Sequence, residues 1–144
     1  MISNPRLVVG LFGLIVGIVM TGVSNAAEES AASHQRFFEL RTYTTAEGRL
    51  DALNARFRDH TNALFKKHGI EIIGFWTPTE GPKSKNTLIY ILAYPSKEAR
   101  EESWKAFQAD PEWVKAKDES EKDGKIVVHV DSVYMSPTDY SPIR

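Results

Sequence analysis

Over residues 37–43 the chain alternates strictly. Phe38 and Leu40 point one way, while Glu39, Arg41 and Tyr43 point the other. A period of two marks a strand, and the pattern predicts one over residues 36–44. The period then lengthens. Between residues 47 and 68, Leu50, Leu53, Phe57, Thr61, Leu64 and His68 fall within roughly 60° of one line at about 100° per residue. Arg49, Asp51, Arg56, Asp59 and Lys66 take the other side, so an amphipathic helix is predicted, stopped by Gly69. Residues 70–78 read as a second strand ended by Pro78, and residues 87–94 as a third. Ser96 is a good helix N-cap. The helix it opens is expected to reach about residue 107 and to restart at Asp110-Pro111, where an acid caps and proline takes the first helical position. Residues 125–135 form the last predicted strand.

The order β-α-β-β-α-β is the split ferredoxin-like unit. It predicts an α+β domain with a four-stranded antiparallel sheet in order 4-1-3-2 and both helices on one face. The other face is then bare. Yet the third strand is apolar on both sides, with Leu88, Tyr90, Leu92 and Tyr94 on one and Ile89, Ile91 and Ala93 on the other. Burying both sides calls for a second layer, and a second copy packed back to back supplies it, giving a homodimer. Polar residues on that buried face need partners. If register allows, Glu39, Arg41 and Tyr43 share it with His129 and Asp131 of the fourth strand, forming a polar cluster that sets the register of the dimer. No serine or cysteine stands at a nucleophile elbow near His129 and Asp131, so a protease-like triad is not expected.

Residues 1–35 change the picture of where the protein works. Arg6 precedes an uncharged apolar run over residues 7–23, followed by Ser24 and Ala26 at the positions a signal peptidase reads. A signal peptide over residues 1–26 is expected, with export to the periplasm or the extracellular space; membrane attachment follows only if this segment is not cleaved. Residues 27–35 are polar, aperiodic and read as a disordered linker to a domain over residues 36–144. The net charge of −1 over 144 residues does not suit a nucleic-acid binder. Cysteine is absent, which removes disulfides, thiolate nucleophiles and lipid attachment after a signal sequence.

The stretches FFELRTYTTAEGR, FRDHTNALFKKHGIEIIGFW, LIYILAYPSKEAREESWKAFQADPEW and SPTDYSP, in that order, resemble the NIPSNAP family over nearly the whole domain. The resemblance implies a dimeric α/β barrel of two ferredoxin-like protomers. It implies little chemistry, because the biochemical activity of the family is unsettled. Mitochondrial members are associated with protein-interaction roles in mitophagy, and the export signal here departs from that setting.

Candidate pocket residues follow from placing side chains between helices and sheet, as in related dimeric α/β barrels. His60 lies at the edge of the helical stripe, and Trp76, Tyr90, Trp104 and Phe107 supply aromatic walls. No His-x-x-x-His or Glu-x-x-His pair is present, so no metal site is predicted. No cofactor is predicted either; haem is an alternative in which His60 would be the axial ligand. The sequence therefore points to a homodimeric binding or interaction module for an apolar small molecule or a protein. An oxygenase-like or haem-handling enzyme and a purely structural scaffold are the alternatives.

Overall fold

The computed structural model describes residues 36–144. The signal peptide expected over 1–26 and the linker over 27–35 lie outside the described residues. Strand β1 spans Phe37–Thr45. Helix α1 follows as Leu50–Arg56, a π-helical turn Phe57–Thr61, and Asn62–Lys67. Next come β2 (Glu71–Trp76), a 3-10 turn (Pro82–Lys85) and β3 (Thr87–Tyr94). Helices α2 (Lys97–Ala109) and α3 (Pro111–Ser120) lead to β4 (Val127–Met135). The strands form one sheet in the order β2-β3-β1-β4, with every neighbouring pair antiparallel. This is the predicted ferredoxin-like arrangement.

Local chemistry sets the boundaries. His68 ends α1 and Gly69 follows at φ +72°, a left-handed conformation that glycine adopts without a Cβ clash. The Ser96 hydroxyl accepts from the Ala99 N–H at the start of α2. The Asp110 carboxylate accepts from the Glu112 N–H at 2.9 Å and starts α3. Asp110 also accepts from Lys67 at 2.9 Å and pairs with His68 Nε2 at 2.7 Å, tying the end of α1 to the α2–α3 junction.

The core lies between sheet and helices. Leu88, Tyr90, Leu92 and Tyr94 of β3 face Leu53, Phe57, Leu64 and Phe65 of α1 and Trp104 and Phe107 of α2. Tyr90 and Leu92 are fully buried. Removing such side chains from water stabilises by about 1.5–3 kcal/mol each.

Register decides the faces, and here it overturns an expectation. Cα partners share a face of an antiparallel pair. Arg41 pairs with Tyr90 and Ser132, and Tyr43 with Leu88 and Val130, so Glu39, Arg41 and Tyr43 face the helices. His129 and Asp131 pair with Thr44 and Thr42, one residue out of step, and lie on the outer face. The predicted five-residue cluster is therefore split between the two faces of the sheet. A strand offset of one residue reverses every side chain.

Nor is the outer face wholly bare. The C-terminal tail returns across it, so that Ser136, Pro137, Thr138 and Ile143 border a groove with Phe38, Ile73 and Ile91. Phe38 is thereby buried. Arg36 stacks over the Phe38 ring at 5.1 Å and forks onto Glu71 at 2.7 and 2.8 Å. Strand β4 is largely uncovered, with Val128, Val130, Val133 and Tyr134 each at least 40% exposed.

Candidate functional site

A cleft of about 560 Å³ opens between the helices and the β1–β4 half of the sheet. That volume lies within the usual range for small-molecule sites. Arg41 and Tyr43 form its floor. Phe57, Thr61 and Phe65 of α1 form one wall, Trp104 and Phe107 of α2 the back, and Trp113 of α3 a second wall. The mouth is bordered by β4 at Val127–Val130 and by Lys117, Asp118, Glu121 and Lys125. The rings make a continuous chain: Phe57–Phe65 at 6.1 Å, Phe65–Phe107 at 4.9 Å and Phe107–Trp113 at 4.5 Å. The edge-to-face or tilted geometries suit the ring quadrupoles.

The π turn in α1 belongs to this wall. The Asn62 N–H reaches back five residues to the Phe57 carbonyl, and the Thr61 hydroxyl donates to the Arg56 carbonyl at 3.2 Å. An extra residue in the turn shifts the helical phase, and both Phe57 and Thr61 line the cleft. Such turns frequently mark functional sites.

The sequence profile of the NIPSNAP family matches residues 38–142. The chain belongs to the NIPSNAP family. Its fold resembles that of a solved NIPSNAP family protein of unknown function from Agrobacterium tumefaciens, with 27% identity and a TM-score of 0.66, covering 78% of this chain and 96% of that one. It also resembles an uncharacterized NIPSNAP-like domain protein from Burkholderia xenovorans, with 20% identity and a TM-score of 0.66, covering 76% and 90%. A search of curated proteins returns no match.

Beneath the cleft this NIPSNAP chain holds a buried ionic network. Glu39 is fully buried and receives a two-pronged fork from Arg100, Nε to Oε2 and Nη2 to Oε1, both at 2.9 Å. Arg41 Nη1 donates to Glu39 Oε1 at 2.5 Å and to Ser132 Oγ at 3.1 Å. Arg41 Nε donates to the Tyr90 hydroxyl at 2.9 Å, and its Nη2 to the Tyr43 hydroxyl at 3.2 Å. The guanidinium of Arg41 stands 4.3 Å over the Trp104 ring, a close cation–π contact. Trp104 Nε1 donates to the Tyr94 hydroxyl at 2.7 Å and to Glu39 at 3.2 Å. Two cations thus share one carboxylate, and the network keeps one positive charge in excess.

Titration follows from this geometry. Burial opposes the charge on Glu39, but hydrogen bonds from Arg100 and the charge and hydrogen bond of Arg41 outweigh it and hold its pKa below the ordinary 4.5. Desolvation pushes the Tyr90 phenol well above the usual tyrosine range, with the neighbouring Tyr43 adding to the rise. Hydrogen bonds from Lys67, His68 and the Glu112 amide hold Asp110 well below its ordinary 3.8. Both carboxylates are depressed, so they stabilise fully above about pH 4.5, and that contribution falls as the pH drops through their native values. Melting followed by circular dichroism is expected to show a Tm that begins to fall as the pH drops below about 4.5 and goes on falling towards the lowered native values. A Tm unchanged down to pH 3 would contradict the network.

The candidate residues fall into three places. Trp104 and Phe107 line the cleft, and Tyr90 is fully buried beneath Arg41. Trp76 is on the outer face and 50% exposed; its ring crosses Gly74, where an added Cβ would lie 2.8 Å from the indole. The bulge between Ile72 and Gly74 and the pairing of Trp76 with Ile89 carry it there, away from the cleft. His60 is exposed on the solvent side of the π turn, beside Asp59, Lys67 and Glu112 in a separate shallow depression. It therefore does not point into the cleft. His129 and Asp131 bond one another at 3.0 Å as an exposed pair whose side chains are each 63% exposed, a contact worth little.

Two further residues, absent from the sequence expectations, take part: Arg56, in the cleft, and Arg100, in the network beneath it. Arg56 is buried under Trp113, its Cζ 5.4 Å from the ring, and reaches Glu121 at 3.2 Å. The signal for Arg100 was available: Arg100, Trp104 and Phe107 follow i, i+4, i+7 spacing on one face of α2. Among the described residues no group of three or more metal-ligating acids and histidines comes together.

Proposed function

We propose that this NIPSNAP protein is an exported homodimeric binding module that takes a small, largely apolar molecule into the cleft between its helices and sheet. The aromatic cleft of about 560 Å³ carries the reading. Pockets of this size with mostly apolar walls and a few convergent polar groups are the usual form of small-molecule sites. Scaffolding alone gives no reason to leave Trp113 half-buried over an open cleft when a filled core would be more stable.

The dimer is read from the outer face. Leu40, Ile89 and Val133 stand there with part of their surface uncovered, outside the groove that the tail borders, and Ile73 and Ile91 are only partly covered within it. A second sheet laid against them removes that surface from water.

Native mass spectrometry on protein purified from its own host tests both parts. The expected spectrum is a dimer with a retained small-molecule mass. Val130→Trp, which fills the cleft mouth, is expected to lose the ligand mass and keep the dimer; Ile91→Lys is expected to give monomer. Wild-type protein that is ligand-free, and that binds nothing from a host extract, would remove the binding reading. A monomeric wild type at micromolar concentration would remove the dimer.

A further inference from the structure

We propose that the ligand of the cleft is an amphiphilic monoanion, an aromatic or aliphatic carboxylate, with its charged end on Arg41 and Tyr43 and its body against Trp104 and Trp113. The inference rests on the reading of the cleft as a ligand site and adds the chemistry of what fills it. A guanidinium has five N–H donors. Four of those on Arg41 are taken by Tyr90, Glu39, Ser132 and Tyr43, and the fifth, on Nη2, has no acceptor among the described residues. The Tyr43 oxygen accepts from Arg41, which leaves its own proton to give away. Both residues line the cleft floor. A carboxylate has two oxygens and matches one guanidinium N–H and one phenol O–H.

Charge points the same way. Glu39 is already forked by Arg100, so the positive charge of Arg41 is only partly neutralised within the protein. Among the described residues lining the cleft, the cations Arg41, Arg56, Lys117 and Lys125 outnumber the acids Asp118 and Glu121, and Glu121 is held by Arg56. The Arg41 side chain is 12% exposed, so water screens it poorly and an anion there is attracted far more strongly than at the surface. A dianion is disfavoured, since the pair Arg41 and Tyr43 offers two donors, enough for one carboxylate. The aromatic walls require an apolar body behind the charge.

The test is isothermal calorimetry at pH 7 with two matched pairs of probes, 1-naphthoate against 1-naphthamide and octanoate against octanamide. At this pH the acids are ionised and the amides neutral. The expected result is that at least one acid binds ten times or more tightly than its amide. That preference should vanish in Arg41→Gln, fall several-fold in Tyr43→Phe, and disappear with all binding in Val130→Trp. Arg41→Lys, which keeps the charge, and Tyr43→Phe, which keeps the ring, carry the test if Arg41→Gln does not fold. Equal affinity for acid and amide would overturn the anion inference and leave the cleft reading standing. An acid preference that survives Val130→Trp would place the anion elsewhere and also overturn it. Failure of all four probes to bind would overturn both readings.

Discussion

Glu39→Ala is expected to cost the fold about 3–5 kcal/mol, the usual penalty for removing one partner from a buried ionic group. The loss is large because two cations are stranded. Arg100 loses its fork and Arg41 its 2.5 Å contact, and both guanidinium groups are left beside the Trp104 ring without a counter-ion. Domain stabilities are about 5–15 kcal/mol, so a drop of this size is plain in a urea titration. Glu39→Gln keeps one acceptor and should cost less. A double variant, Glu39→Ala with Arg100→Leu, should recover part of the loss, because it removes one of the stranded charges. A Glu39→Ala loss below about 1 kcal/mol would show that water reaches the network and that Arg41 is not held in a dry site.

Phe65→Ala should be comparably severe, at about 3–5 kcal/mol. Phe65 is 1% exposed, and its ring meets Phe57, Tyr90, Trp104 and Phe107 at centroid distances of 4.9–6.4 Å. Truncation would open a void among four rings whose positions are fixed by one another. The neighbouring walls have little freedom to collapse, since Tyr90 is pinned by Arg41 and Trp104 by Tyr94. Phe65 also lines the cleft, so ligand binding should weaken along with stability. Urea unfolding checks the magnitude. A change of less than about 1 kcal/mol would mean that the core is centred elsewhere.

These two residues show how far a linear reading reaches. Phe65 lies one position from the predicted stripe of α1, and the π turn at Phe57–Thr61 changes the phase of the helix just before it. No residue pattern announced that turn. Glu39 was the more instructive case. Alternation correctly made β1 a strand with Glu39, Arg41 and Tyr43 together on one side. The simplest expectation then puts Phe38 and Leu40 inward and the charged side outward. The structure does the reverse, since the acid finds Arg100 and Trp104 on α2, and partners sixty residues away are invisible to a local period. His129 and Asp131 separated from that cluster for a different reason. The unbroken part of the β1–β4 register pairs them with Thr44 and Thr42, and a single step decides the face.

Taken alone, the order of residues determined the elements, their caps and the antiparallel sheet β2-β3-β1-β4, because periodicity, Ser96, Asp110 and Gly69 act within a few residues of chain. It also marked Trp104 and Phe107 as partners on one helical face. Only the tertiary structure decided which side of β1 is inside, that Trp76 and His60 stay out of the cleft, and that Arg41 lies at its floor with one donor unspent among the described residues. Those outcomes depend on strand register and on ion pairs between distant segments, and such terms exist only once the chain has closed on itself.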